Sequence, residues 1–403
     1  MNTQVILQLT KVNMKKSVAV IGAGIAGITV AYYLVKAGYE VSVYDEEPHP
    51  AMRTSFANGG QVSVSNSEVW TTWGNVWKGM KWMLKKDAPL LIRPDLDLDK
   101  AIWLAKFLWH TANNRYAKNT AATIHLGLEA RRRYRNIVAK EDLQFDQSGS
   151  GILHFYKDAK YLDHAFDAQE IYQKNNCEWT LLTEAQVMKK EPALKGVTGI
   201  IGGAWTKDDW TGDIHKFCMA LAHNLETKYG VKFHFNSKID GLLNLSHYDK
   251  IVVASGVGSV RLARSIGDSL PIYPVKGYSI TINNVDAEHL PKTSLLDDQA
   301  KIVTSSLGNR FRVAGTAELA GENYDIRHDR IKPLLNWVHT NFPNINTHDY
   351  SSWACLRPMT PNMMPIVRQS KKYGKVYYHT GHGHLGWTLA PATALQLTKL
   401  MAD

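Results

Sequence analysis

The chain has 403 residues, 44% hydrophobic and 21% charged, an ordinary globular composition with material for about two domains and a large core. Its three cysteines, Cys177, Cys218 and Cys355, are far apart, which excludes a disulfide framework or a cysteine zinc site and suits a reducing cytoplasm. The net charge of +10 favours anionic surfaces, but the lysines and arginines are dispersed and no nucleic-acid motif appears, so acidic phospholipid is the expected partner rather than nucleic acid.

Residues 1–13 suggest no function. The first strong pattern spans residues 18–45. An apolar run (18–21) meets Gly22, Gly24 and Gly27 in G-x-G-x-x-G spacing. A helical segment follows, Gly38 ends it, and a second apolar run (41–44) stops at Asp45. Gly22 permits a tight turn, Gly24 lets the backbone approach a pyrophosphate, and Gly27 lets the helix pack on the strand. Ala23, Ile25 and Ala26 complete the turn, whose free N–H groups and partial positive charge suit phosphate. Asp45, between Tyr44 and Glu46, stands where an acid accepts hydrogen bonds from an adenosine ribose. The uncharged run 18–35 behind Lys15 and Lys16 also imitates a membrane span or a signal peptide. Neither explains the glycine spacing or Asp45.

Arg53-Thr54-Ser55-Phe56-Ala57-Asn58-Gly59-Gly60-Gln61 is a small-residue loop. Its backbone can approach a cofactor, with Ser55, Asn58, Gly59, Gly60 and Gln61 as the expected contacts. Six of the twelve tryptophans fall within residues 70–109. Trp70, Trp73, Trp77, Met80 and Leu84 share a helical face, and Lys78, Lys81, Lys85 and Lys86 lie largely off it. Such a helix either packs on its own protein, the commoner arrangement, or lies in a membrane interface. Helices are predicted over 99–113 and 121–140, the latter carrying the run Arg131-Arg132-Arg133 as a solvated face.

From residue 147 the pattern becomes mixed. A strand is expected over 149–156 and a helix over 161–174. Thr183 and Gln186 have capping-box spacing at a helix start. Residues 199–205 read as a strand, and Asp213 precedes a helix to about Lys228. Short strands follow at 231–235 and 251–254, and Ser255-Gly256 is a small turn suited to passing a cofactor. Strands over 274–281 and 310–315 carry Tyr278 on the first and Arg310 and Arg312 on one face of the second.

A second strong signal lies at the end of the chain. Trp353-Ala354-Cys355-Leu356-Arg357-Pro358-Met359-Thr360-Pro361 is stiffened by two prolines. A strand at 376–380 then leads into Gly381-His382-Gly383-His384-Leu385-Gly386-Trp387-Thr388 and a helix to Met401. His379, His382 and His384 have no cysteine or carboxylate beside them in this turn, so no metal is expected. The first glycine pattern alone fits NAD as well as FAD. A second glycine-rich turn before a helix suits an isoalloxazine ring and favours FAD.

These stretches resemble the D-amino acid dehydrogenase small-subunit family, FAD-dependent members of the D-amino acid oxidase group. The likeness runs from about Lys15 to the C-terminus. It rests on the glycines at 22–27, Thr54-Ser55-Phe56-Ala57-Asn58, Arg93-Pro94, Arg115-Tyr116, Thr211-Gly212-Asp213, Lys276-Gly277-Tyr278-Ser279-Ile280-Thr281, Leu356-Arg357-Pro358-Met359-Thr360-Pro361 and the 380–388 turn. The sequence departs from the family pattern at Gln61, Asn362, His384 and Pro391-Ala392-Thr393-Ala394. The resemblance implies FAD, oxidative deamination of D-amino acids to 2-oxo acids and ammonia, and electron delivery to a quinone or another acceptor than oxygen. It also implies a cytoplasmic enzyme, peripheral on the inner face of the cell membrane. The alternatives are an L-amino acid deaminase, a glycine, sarcosine or proline-type oxidase, and, more remotely, a non-catalytic flavoprotein binding module.

Arg357 matches the group's carboxylate-binding arginine, and a planar guanidinium holds two carboxylate oxygens at once. Tyr278 is expected to add a phenolic hydrogen bond, and His382 to assist beside the flavin. Backbone N–H groups of Gly381, Gly383, His384, Leu385, Gly386, Trp387 and Thr388 would meet negative charge on the reduced ring. Ile239 completes the expected cofactor set. The predicted architecture is α/β: a Rossmann-like FAD-binding domain (14–66, 203–268, 351–403) interleaved with a mixed, largely antiparallel α+β substrate domain (67–202, 269–350).

Overall fold

The computed structural model describes residues 15–82, 89–92 and 96–402. Leu84, Lys85, Lys86 and the Arg93-Pro94 pair lie outside the described residues.

The first apolar run forms the strand Ser17–Ile21, at the centre of a six-stranded sheet. It pairs in parallel with Glu40–Tyr44 on one side and Lys250–Val253 on the other. Lys232–His234 and Val376–Thr380 extend the sheet in parallel, and Ile366–Gln369 closes one edge antiparallel. Parallel strands need crossover helices, and helices Ile25–Lys36 and Gly386–Ala402 pack together against this sheet. The residues from Ile25 to Lys36 are uncharged except the last, because both faces of that helix are covered. Pro391 lies inside the Gly386–Ala402 helix and cannot donate to the Trp387 carbonyl. Tyr134 supplies the missing hydrogen, its hydroxyl donating to that oxygen at 2.6 Å.

The second sheet has nine strands and is mainly antiparallel. Its order runs Tyr350–Met359, Tyr273–Ile282, Arg310–Leu319, Ile302–Leu307, Ser294–Asp297, Ile152–Tyr156, Gly202–Thr206, Thr180–Thr183, with Leu90–Ile92 beside Arg310–Leu319. Helix His328–Asn341 covers one face, packing Leu334 and Val338 against Ile280 and Val313. The α/β architecture expected from the sequence is the observed one. Two boundaries move: strands Gly202–Thr206 and Tyr350–Met359, expected in the first domain, pair in the second sheet.

Local signals hold closely. Thr183 Oγ1 accepts from Gln186 N, and Gln186 Oε1 accepts from Thr183 N, so the capping box is formed. Asp213 caps Ile214–Tyr229 through the His215 and Lys216 N–H groups. The basic run differs from expectation. Arg132 and Arg133 reach Glu129, but Arg131 is buried against Asp208 and Asp209. Among the described residues no helix is long and apolar enough to cross a membrane, and no cluster of metal-ligating side chains forms.

Candidate cofactor and substrate site

One elongated cavity of about 370 Å³ runs between the two glycine-rich turns. It is lined by Gly22, Gly24, Ile25 and Ala26, with Tyr44, Asp45, Glu46 and Ile239, and by His382, Gly383 and Gly386, which meet the first turn where Gly386 approaches Ile25. Ser55, Ser255 and Gly256 border it between them. The glycines are required by space. Gly22 has φ +104°, and a Cβ there would lie 2.7 Å from the Ala254 carbonyl oxygen. A Cβ on Gly27 would lie 1.7 Å from the Gly22 oxygen, so Gly27 serves packing. Ser55 Oγ accepts from Ile25 N at 3.1 Å, fixing the loop against the helix start.

Asp45 follows the Glu40–Tyr44 strand, with Oδ2 accepting from Ala23 N at 2.5 Å and Oδ1 from Glu47 N at 2.9 Å. Burial raises its pKa, and these two N–H groups oppose the rise. The carboxylate thus holds the turn and borders the cavity. Sequence reasoning overlooked the mouth. There the Arg53 guanidinium lies 4.7 Å from the Tyr324 ring centroid, and Lys238 and Arg261 line the wall. Arg53 sits in the quoted loop, but nothing local to Tyr324, Lys238 or Arg261 marks them.

Several expected contacts lie elsewhere. Asn58 Oδ1 accepts from Gly60 N, and the Asn58 carbonyl takes a hydrogen bond from Arg312 at 3.0 Å. Gly59 and Gly60 press against Val303 and Ser305. Gln61 sends its amide to Ser294 Oγ and the Leu295 carbonyl, at 2.8 and 3.1 Å. The loop is therefore clamped to the second sheet, and these four residues do not line the cavity. Trp387 is a core residue, packed edge-on among Tyr134, Trp210, Phe217 and Phe145. Leu385 is buried, and Thr388 Oγ1 accepts from Ser63 N. Gly381 and Gly383 have φ of +74° and +57° and press on Thr360 and Met359, which sets the shape of the turn.

Tyr278 requires a correction. Its hydroxyl donates to Glu318 Oε2 at 2.6 Å, and its ring is buried with Ile280 and Ile282. It faces the core side of the sheet, not the cavity side. Burial first, and the Glu318 carboxylate second, raise its pKa.

Arg357 occupies the opposite face. Its guanidinium lies over Gly277, and Nη1 donates to the Thr316 carbonyl at 3.3 Å. Thr316 has φ +53° and falls where the register slips between Gly277 and Tyr278. The bulge aims that carbonyl at the arginine. Pro358 borders the cofactor cavity; Arg357, the residue before it on the strand, does not line it, but its charge acts on His384, one residue past the lining Gly383. His384 stacks on Trp70, with centroids 4.8 Å apart and planes 19° from parallel. Burial, reinforced by the Arg357 charge, pushes its pKa down to about 3. Arg312, buried, bonds Thr281 and Asn58, and Arg310 pairs with Asp146 and Asp213; both are structural.

A dinucleotide cradle and a mixed, largely antiparallel sheet bearing a half-buried arginine are the architecture of an FAD-dependent oxidoreductase. The profile of the FAD dependent oxidoreductase family matches residues 17–400, and the chain belongs to that family. D-amino acid dehydrogenase 3 of Mesorhizobium japonicum is 45% identical, over 96% of this chain and 97% of its own. A D-amino acid dehydrogenase of Dechloromonas aromatica is 36% identical over 96% of each. The structure of glycine oxidase from Geobacillus kaustophilus, 16% identical, superposes with a TM-score of 0.75 over 96% of this chain and 95% of that one. The family resemblance, the fold and the FAD read from the sequence are thus borne out.

Proposed function

We propose that this chain is an FAD-dependent D-amino acid dehydrogenase, which converts D-amino acids to 2-oxo acids and ammonia. Full-length identity to D-amino acid dehydrogenases supports the reaction. Within the structure, the observation that carries it is Arg357 held over Gly277, with its charge acting on His384 in the glycine-rich turn.

The residues present fit FAD. The glycine turn at 22–27 would hold the pyrophosphate, Asp45 the adenosine ribose, and the 381–386 turn the ring end. FAD, when bound, accepts the hydride that leaves the substrate Cα. The protein supplies position and charge. Arg357 holds the carboxylate through its fork, and the Thr316 carbonyl keeps the guanidinium in place. The Trp70–His384 stack walls the substrate side, and neutral His384 adds no charge beside the substrate amine.

The acceptor is a membrane quinone, reached from a peripheral position. The helix Trp73–Trp82 supports that position. Trp73, Trp77 and Met80 are 52%, 60% and 54% exposed, so these three members of the stripe face outward, while Trp70 stacks on His384. Lys78 and Lys81 lie on the same helix and suit an anionic surface.

Anaerobic mixing with D- and L-amino acids tests the reading. Bleaching of the oxidised flavin band by D-isomers alone is expected. Bleaching by L-isomers or by glycine alone would replace it with a related amine oxidoreductase.

A further inference from the structure

His379, His382 and Thr393 meet at the wall of the cofactor cavity, which both histidines line. His379 Nδ1 lies 3.0 Å from the Ala26 carbonyl oxygen, in the first turn of the Ile25–Lys36 helix. His379 Nε2 and His382 Nε2 each lie 2.9 Å from Thr393 Oγ1. His379 and Thr393 are fully buried and His382 is 5% exposed, so water does not compete.

Proton counting fixes this chain. A carbonyl only accepts, so His379 carries its hydrogen on Nδ1. Both rings are neutral, since burial lowers the two histidine pKa values. His379 Nε2 is then bare and needs a donor, which among the described residues Thr393 supplies. The Thr393 hydroxyl also lies near the Leu389 and Ala390 carbonyls, at 3.2 and 3.0 Å. Those oxygens belong to a helix that serves them with its own N–H groups. Donation to them would leave a bare nitrogen facing a bare oxygen. With its one hydrogen given to His379, Thr393 accepts from His382 Nε2–H. His382 Nδ1 is left bare, on a residue that lines the cavity.

We infer that Thr393 and His379 are positioning residues that hold His382 as the Nε2–H tautomer and turn its bare Nδ1 toward the cofactor. His382 therefore accepts a hydrogen bond from a donor on the bound dinucleotide, the chemistry of a ribityl hydroxyl. It does not donate to charge on the reduced ring, the part its sequence position suggests. The same chain ties the 22–27 turn to the 381–386 turn, so the two glycine-rich turns are set together. The inference rests on FAD occupying this cavity.

Histidine-selective ¹⁵N labelling and long-range ¹H–¹⁵N NMR of the apoprotein read the tautomers directly. The expected spectrum of the unaltered chain gives His382 a protonated Nε2 and a bare Nδ1; a hydrogen on Nδ1 overturns the inference. Thr393→Val should release the tautomer and weaken FAD binding about tenfold, and Thr393→Ser should restore both. A Thr393→Val protein with the original tautomer and FAD affinity overturns it too. If the unaltered apoprotein does not bind FAD at all, the cofactor reading fails instead.

Discussion

A Cβ added to Gly277 would lie 2.2 Å from Arg357 Nη2, so the guanidinium rests directly on the bare glycine. The two residues stand on neighbouring antiparallel strands, where Arg357 is opposite Val275 and Gly277 opposite Cys355. Gly277→Ala should therefore displace the guanidinium from its place over the strand. The expected result is a loss of kcat/KM for D-amino acids on the order of a hundredfold, about 3 kcal/mol, with flavin content unchanged. Steady-state kinetics beside the flavin absorbance checks this. Unaltered kinetics would mean that the guanidinium works from another position.

Arg357→Lys separates charge from shape. A lysine keeps the positive charge but loses the planar fork. KM should rise by about tenfold or more while FAD stays bound, and Arg357→Ala should lose still more. Equal activity of the lysine variant and the unaltered enzyme would remove the bidentate carboxylate contact.

Tyr278→Phe tests the corrected placement. Removing the hydroxyl leaves Glu318 Oε2 without that buried donor, while Arg327 still meets Oε1 at 3.1 Å. Stability should fall by about 1–2 kcal/mol in urea unfolding, with kcat/KM within about twofold of the unaltered enzyme. A large kinetic loss at unchanged stability would return Tyr278 to the active site.

The sequence made some of these features plain and hid others for physical reasons. The 22–27 turn was legible because its demands are local: a positive φ at Gly22 and a close approach at Gly27 admit only glycine. Thr183–Gln186 was legible for the same reason, since a cap closes within one turn. Tyr278 was misplaced because its side depends on register with another strand. Tyr278 is opposite Ala354 and Val275 opposite Arg357, three residues apart on the tyrosine's strand, so Tyr278 and Arg357 face opposite ways. Strand alternation alone contains no such information. Thr393 was invisible as a relay, because a threonine in a helix acquires that role only where two distant histidines meet it.

Buried neutral histidines make stability depend on pH. Burial lowers the pKa of His382 from 6.5 to about 4 and of His384 to about 3, and that of His379 well below 6.5. The unfolded chain therefore binds protons that the folded chain refuses between about pH 4 and 6.5. In that window stability rises with pH, by about 1.4 kcal/mol per pH unit for each such histidine. Above pH 7 the contribution is complete; it is lost as pH falls through the window toward the folded pKa values. Urea midpoints of the apoprotein at pH 7.0 and 5.0 should differ in that direction, and His382→Asn should reduce the difference. A midpoint unchanged by acid in both proteins would contradict the buried neutral state.

The exposed stripe on Trp73–Trp82 predicts binding to acidic vesicles through this face. Trp73, Trp77 and Met80 project outward, and Leu98, Ile102 and Trp109 of the Leu98–Ala112 helix are exposed as well. Each apolar side chain entering the interface contributes about 1–2 kcal/mol, and the lysines add a term that salt screens. Serine at Trp73, Trp77 and Met80 together should release the protein from vesicles containing acidic phospholipid. Turnover with a water-soluble acceptor should stay unchanged, because none of the three lines the cofactor cavity. Turnover with a quinone dissolved in the vesicles should fall with binding. High salt should weaken the unaltered protein's attachment without abolishing it. If the triple variant still sediments with vesicles and still reduces the embedded quinone, this face is not the membrane contact.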